Sequence, residues 1–159
     1  MIDWLLTFMR DFALAIWLGG LIVIDFVEGP TKFKVPDINR NQAVAVGRAV
    51  FAALLRLEAA LGLLLIIIHL LAHNRAVSDA LASRWQTSFI VIGLMLAIVL
   101  LQKFWAIRRI ERASEGVDLV ARTAGVEVFS RMKRWHLVYV AGDLMKMGLG
   151  LAALALWAG

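Results

Sequence analysis

Long apolar runs alternate with short basic stretches along the chain, and that alternation predicts the architecture. Four runs approach the roughly 20 residues a helix needs to cross a hydrocarbon core; they cover about 4–28, 50–72, 87–105 and 137–157. The first carries Asp25 and Glu28 in its last turns and is expected to break at Gly29–Pro30 into a basic loop. Trp4, Trp85, Trp105, Trp135 and Trp157 fall at or near the proposed ends, where amphipathic indole rings settle among headgroups. In lipid the backbone must bond within its own segment, so helices are the economical solution. The predicted fold is an all-α integral membrane four-helix bundle, one transmembrane domain over residues 1–159.

Charge sets the expected orientation. The first connection holds Lys32, Lys34, Arg40 and Arg48. The third holds Lys103, Arg108, Arg109, Arg112, Arg122, Arg131, Lys133 and Arg134, whereas the second has only Arg75 and Arg84. Basic connections stay on the cytoplasmic side, so both termini are expected on the outer side. The 106–134 connection is predicted to be cytoplasmic and amphipathic. Lys103–Glu115 would continue the third span, and Val117, Val120, Val126, Phe129 and Met132 would line a second helix lying on headgroups or docking a partner. The N-terminus has no basic n-region and no small-residue cleavage site after the apolar run, so the first run is expected to stay as a membrane helix.

Composition agrees and excludes several classes. Hydrophobic residues make up 62% and mean hydropathy is +0.80, too apolar for a domain with a fully wet surface. The chain has no cysteine, which removes disulfides, thiolate metal sites and iron–sulfur clusters. The net charge of +5 sits beside membrane segments, so it points to anionic headgroups on the cytoplasmic face and not to nucleic acid. A bacterial inner membrane is the expected location. No nucleophile elbow, P-loop, HExxH helix or dinucleotide fingerprint is present, and no catalytic residue is nominated.

The chemistry therefore rests on ionisable residues inside the spans, which are costly there and must pair, face the interior or snorkel. At about 100° per residue, Asp11, Leu18 and Asp25 share a face of the first span with Trp4, and Glu28 lies beside it. Glu58, Gly62, His69 and His73 form a stripe on the second, and His136, Tyr139, Asp143 and Gly150 form one on the fourth, with Lys146 adjacent. Depth divides them into two layers. The cytoplasmic layer comprises Asp25, Glu28, Glu58, His136, Asp143 and Lys146. Asp143 and Lys146 are i, i+3 neighbours and Lys146 is level with Glu58, which predicts ion pairing that fixes helix register. The alternative is a proton or ion path from Asp25 through Glu58 to Asp143, as in a small proton- or ion-coupled transporter. In the outer layer, His69 and His73 at i, i+4 with Asp11 nearby have the arrangement of a haem or metal site, copper included. Two interfacial histidines at a helix C-terminus are the plainer alternative. The uncharged third span is expected to face lipid or another subunit.

Several motifs together carry a resemblance. FVEGPTKFKVP follows the first helix and VGRAVFAALLRLE opens the second. QKFWAIRRIERA extends the third, and FSRMKRWHLVYVAGDLMKMGLGL, with Arg134-Trp135-His136, leads the fourth. Together they resemble the four-helix membrane family related to transmembrane protein 205, a domain of unknown function, and more distantly the copper resistance protein D-like group. The resemblance implies a four-helix fold and assigns no reaction. With no catalytic constellation, the leading expectation is a non-enzymatic accessory subunit of a larger, energy-converting membrane complex. Its partners would be the bilayer and other membrane-protein subunits.

Overall fold

The computed structural model describes residues 2–73, 79–114 and 126–158, and all regular structure among them is helical. Helix α1 (Ile2–Ile22) continues through a π turn (Val23–Glu28), one α turn (Gly29–Thr31) and a 3-10 turn (Lys32–Lys34). Helix α2 is Arg40–His73. Helix α3 (Asp79–Leu101) passes through a second π turn (Gln102–Ala106) into α4 (Ile107–Ser114), and α5 is Val126–Ala158. Four segments are long and apolar enough to cross a membrane: Trp4–Lys34, Arg40–Ala72, Gln86–Arg112 and Lys133–Leu156. Helix α2 packs on α1 and α3, and α5 packs on α3 and α1, which closes the four into a ring. The all-α bundle expected from the hydrophobic pattern is the fold observed.

The helix ends differ from the sequence pattern in three places, each for a local reason. The chain does not break at Gly29–Pro30. Proline has no N–H to offer the carbonyl four residues back, and its ring would crowd that carbonyl. The backbone widens instead: the Gly29 N–H bonds the Ile24 carbonyl five residues back, and Pro30 enters the next α turn near its start, where a missing N–H is tolerated. The helix stops at Lys34, and Val35, which precedes Pro36, is extended.

Helix α2 starts at Arg40, ten residues before the predicted 50, because Asn39 and Gln42 form a reciprocal cap. The Gln42 N–H donates to Asn39 Oδ1 and the Asn39 N–H to Gln42 Oε1, both at 2.9 Å. Helix α5 likewise starts at Val126, so 126–134 forms its first turns and not a separate surface helix. Residues 115–125, with the expected positions Val117 and Val120, lie outside the described residues.

The core runs along the ring axis. Trp17, Leu14 and Leu21 of α1 meet Leu55 and Leu65 of α2, Ile92, Met95 and Val99 of α3, and Tyr139 and Ala153 of α5. Helix α3 buries the Ser88, Ile92, Met95, Val99 stripe between α2 and α5 and leaves Ile90, Leu94 and Leu101 on the outer surface. Two glycines permit close approaches between the spans. A Cβ at Gly62 would lie 2.6 Å from Leu96 Cγ, and one at Gly150 would lie 2.6 Å from Leu18 Cδ2. Gly62→Ala is therefore expected to cost about 1–3 kcal/mol through overpacking, read as a lower unfolding temperature in detergent. Gly148 faces open space, and its alanine variant is expected to unfold no earlier than the parent.

Candidate functional site

Four helices deliver polar side chains to one buried point. Glu58 of α2, Asp143 and Lys146 of α5 have no exposed side-chain surface. Lys146 Nζ donates to Glu58 Oε1 in a short contact and to Asp143 Oδ1 at 2.8 Å, so one ammonium serves two carboxylates. Trp17 Nε1 of α1 donates to Glu58 Oε1 at 2.8 Å. Gln102, at the start of the second π turn, donates through Nε2 to Asp143 Oδ1 at 2.8 Å and to the Tyr139 carbonyl at 2.9 Å. Asp25, inside the first π turn, comes within hydrogen-bonding reach of Asp143. Both π turns thus feed the same cluster, and each widened turn aims a polar side chain that regular α geometry would direct elsewhere.

Buried charges are stable only when paired and hydrogen-bonded. Lys146, Trp17 and Gln102 supply the donors here. Glu58 Oε2, Gln102 Oε1 and Tyr139 Oη accept or donate no hydrogen bond among the described residues.

Of the six residues assigned to this layer, Asp25, Glu58, Asp143 and Lys146 come together. Glu28 pairs instead with Lys32 one turn on, at 3.0 Å. His136 is exposed, with its ring 6.4 Å from that of Phe51. Trp17 and Gln102 were not singled out by their sequence positions. The signal for Trp17 was an indole in mid-span, where its N–H needs a partner. For Gln102 it was an amide placed before the basic extension begins.

The opposite end has a different arrangement. His69 is buried, and its Nδ1 donates to the Leu65 carbonyl at 2.9 Å. The Arg10 guanidinium is a charged group that acts on its ring. Arg10 turns inward, and its guanidinium pairs with the half-exposed Asp11 at 2.9 Å. His73 ends α2, and its side chain lies outside the described residues. Among the described residues no group of three or more His, Cys, Asp or Glu side chains could hold a metal ion. On each helix the core positions between the two polar layers are apolar: Leu14, Leu61, Leu65, Ile92, Met95 and Ala153.

At the end carrying the Lys/Arg-rich connections, a cavity of about 670 Å³ opens between the end of the first span, the start of α2, α4 and the start of the fourth span. Ile24, Phe26, Phe33, Val44, Phe51 and Val140 contribute apolar walls. Lys32, Arg48, Lys133 and His136 line it as well, together with Asp25. Asp25 thus touches both the cavity and the ion-paired cluster.

Fold and site together define a small helical membrane protein whose spans are locked by an internal ion-pair network beside an amphipathic cavity. Residues 12–117 match a family described as a domain of unknown function, DUF4149, and the chain belongs to that family. No curated protein and no solved structure matches it.

Proposed function

We propose that the protein is a non-enzymatic accessory protein of the membrane that holds an amphiphilic ligand in the cavity at its basic end. One observation carries this reading: the cavity combines apolar walls with cationic side chains and meets the fixed polar cluster at Asp25. Small-molecule sites are mostly apolar concavities with a few placed polar groups. The Glu58–Lys146–Asp143 network serves as the rigid floor that keeps the four helices in register around it. The apolar layer between the two ends favours a site loaded from one side over a path through the bundle. On this reading the basic end lies in the cytoplasmic leaflet, and the lipid-facing sides of the ring pack in a larger membrane assembly.

The absence of cysteine makes the test direct. Val140→Cys places a single thiol in the cavity wall, and Asp37→Cys places one on the exposed connection between the first two spans, away from the cavity. In protein prepared with its native membrane lipids, the cavity thiol is expected to react with N-ethylmaleimide several-fold more slowly than in delipidated protein. Asp37→Cys should show no such difference. Equal lipid dependence at the two sites would rule the reading out.

A further inference from the structure

We infer that the occupant of this cavity is an anionic phospholipid, its phosphate held by Lys32, Arg48 and Lys133 and its acyl chain against the phenylalanine-lined wall. The inference rests on the binding reading above and adds the class of ligand.

Lys32 carries the argument. Its side chain is only 9% exposed, unusual for a lysine at a helix end. It runs across Gly47 so closely that a Cβ there would lie 2.5 Å from Nζ and 3.1 Å from Cε. Its ammonium sits 5.1 Å from the centroid of Phe51 and 3.0 Å from Glu28. A backbone gap, an aromatic face and a carboxylate thus fix one cation in the cavity wall before any ligand arrives. Arg48 and Lys133 are exposed on the same cavity. With Glu28 and Asp25 counted against the three cations, 3 − 2 leaves a local charge of +1.

Asp25 precedes Lys32 by seven residues, a depth difference of about 10 Å along a helix. Its carboxylate keeps an anionic head from sliding inward and so holds it at the level of Lys32. A free phosphate would satisfy the cations and gain nothing from Phe26, Phe33 and Phe51. A lipid uses both halves of the site, joining headgroup attraction to apolar burial.

The test uses the full chain in bilayer discs containing equal parts phosphatidylglycerol and phosphatidylcholine with matched acyl chains. Gentle extraction and native mass spectrometry then count the lipid that stays bound. The wild type is expected to retain phosphatidylglycerol over phosphatidylcholine by about tenfold, and Lys32→Ala to lower that preference about fivefold, the scale of one basic side chain near an anionic surface. Arg48→Ala, at an exposed position outside the helix packing, should lower it by a similar factor even if Lys32→Ala folds poorly. Gly47→Leu should abolish it by displacing the Lys32 ammonium without removing the charge. Lys103→Ala, a basic residue at the same end that does not line the cavity, should leave it unchanged.

Equal retention of the two lipids, while Val140→Cys still shows lipid-dependent protection, would overturn the lipid assignment and leave the binding reading standing. No protection by any lipid would remove both. Displacement of phosphatidylglycerol by millimolar inorganic phosphate would show that a free anion is the ligand, which also overturns the inference.

Discussion

Lys146→Met is expected to cost about 3–5 kcal/mol, a large share of the ~5–15 kcal/mol that holds a typical fold together. Methionine keeps most of the lysine stem, so the change tests the ammonium and not the packing. Without it, Glu58 and Asp143 have no cation among the groups that bond them, and both are wholly buried. Each would retain a single donor, Trp17 Nε1 for Glu58 and Gln102 Nε2 for Asp143. The expected result is a sharp fall in the monodisperse fraction after mild heating in detergent.

The network also predicts an asymmetry. Glu58→Gln leaves Lys146 paired with Asp143 and leaves the indole an amide oxygen to donate to, so its cost should be about 1–2 kcal/mol. The triple variant with Lys146→Met, Glu58→Gln and Asp143→Asn carries no buried charge among these three positions and should recover most of the loss, because neutral groups of similar shape often replace an ion-pair network at little cost. A Lys146→Met protein that unfolds at the parent's temperature would mean that the ion pairs do not hold the ring together.

The parts of this site that were legible in the sequence are those whose chemistry is conspicuous in an apolar run. Glu58, Asp143 and Lys146 stand out as charges within spans, and helical phase alone places them on facing stripes. What phase could not resolve was which of two adjacent residues turns inward. Taking Trp4, Asp11 and Leu18 as one face puts Asp11 inside. In the structure Arg10 is buried, Asp11 is half-buried and Trp4 is among the most exposed side chains. The two residues are one position apart, or about 100°, and an aromatic at a membrane end is a poor guide to the inward side because it settles equally well among headgroups.

The ends of the first two spans were misplaced for a related reason. Pro30 reads as a break, but a widened turn absorbs it, and the Asn39/Gln42 cap lies well before the apolar run that marks α2. The cavity was not legible at all. It depends on how the widened end of the first span, α4 and the first turns of the fourth span come together, which no periodicity records.

Gly142→Leu is the second large loss expected, about 2–4 kcal/mol through crowding and stranded polar groups. In the sequence Gly142 reads as one more small residue for helix packing. In the structure a Cβ at this position would lie 2.7 Å from Gln102 Nε2, 3.2 Å from its Cδ and 3.3 Å from Ile98 Cγ2. The missing side chain is therefore the channel through which the Gln102 amide crosses from the third span to the fourth. A side chain at 142 would push the amide out of the cluster. Asp143 Oδ1 would then keep only Lys146 as a donor, and the Tyr139 carbonyl would lose the amide hydrogen bond.

A double-mutant cycle separates this account from simple helix crowding. Gly142→Ala should be clearly destabilising in the parent, by about 1–2 kcal/mol, and nearly neutral in a Gln102→Ala background, where the tight amide contact is gone and the looser Ile98 contact remains. If the alanine costs the same in both backgrounds, Gly142 is there for helix packing, and the amide reaches the cluster without depending on it. If the cost disappears with Gln102, the glycine belongs to the polar network, and the contact between the third and fourth spans is set by a hydrogen bond and not by the fit of their apolar surfaces.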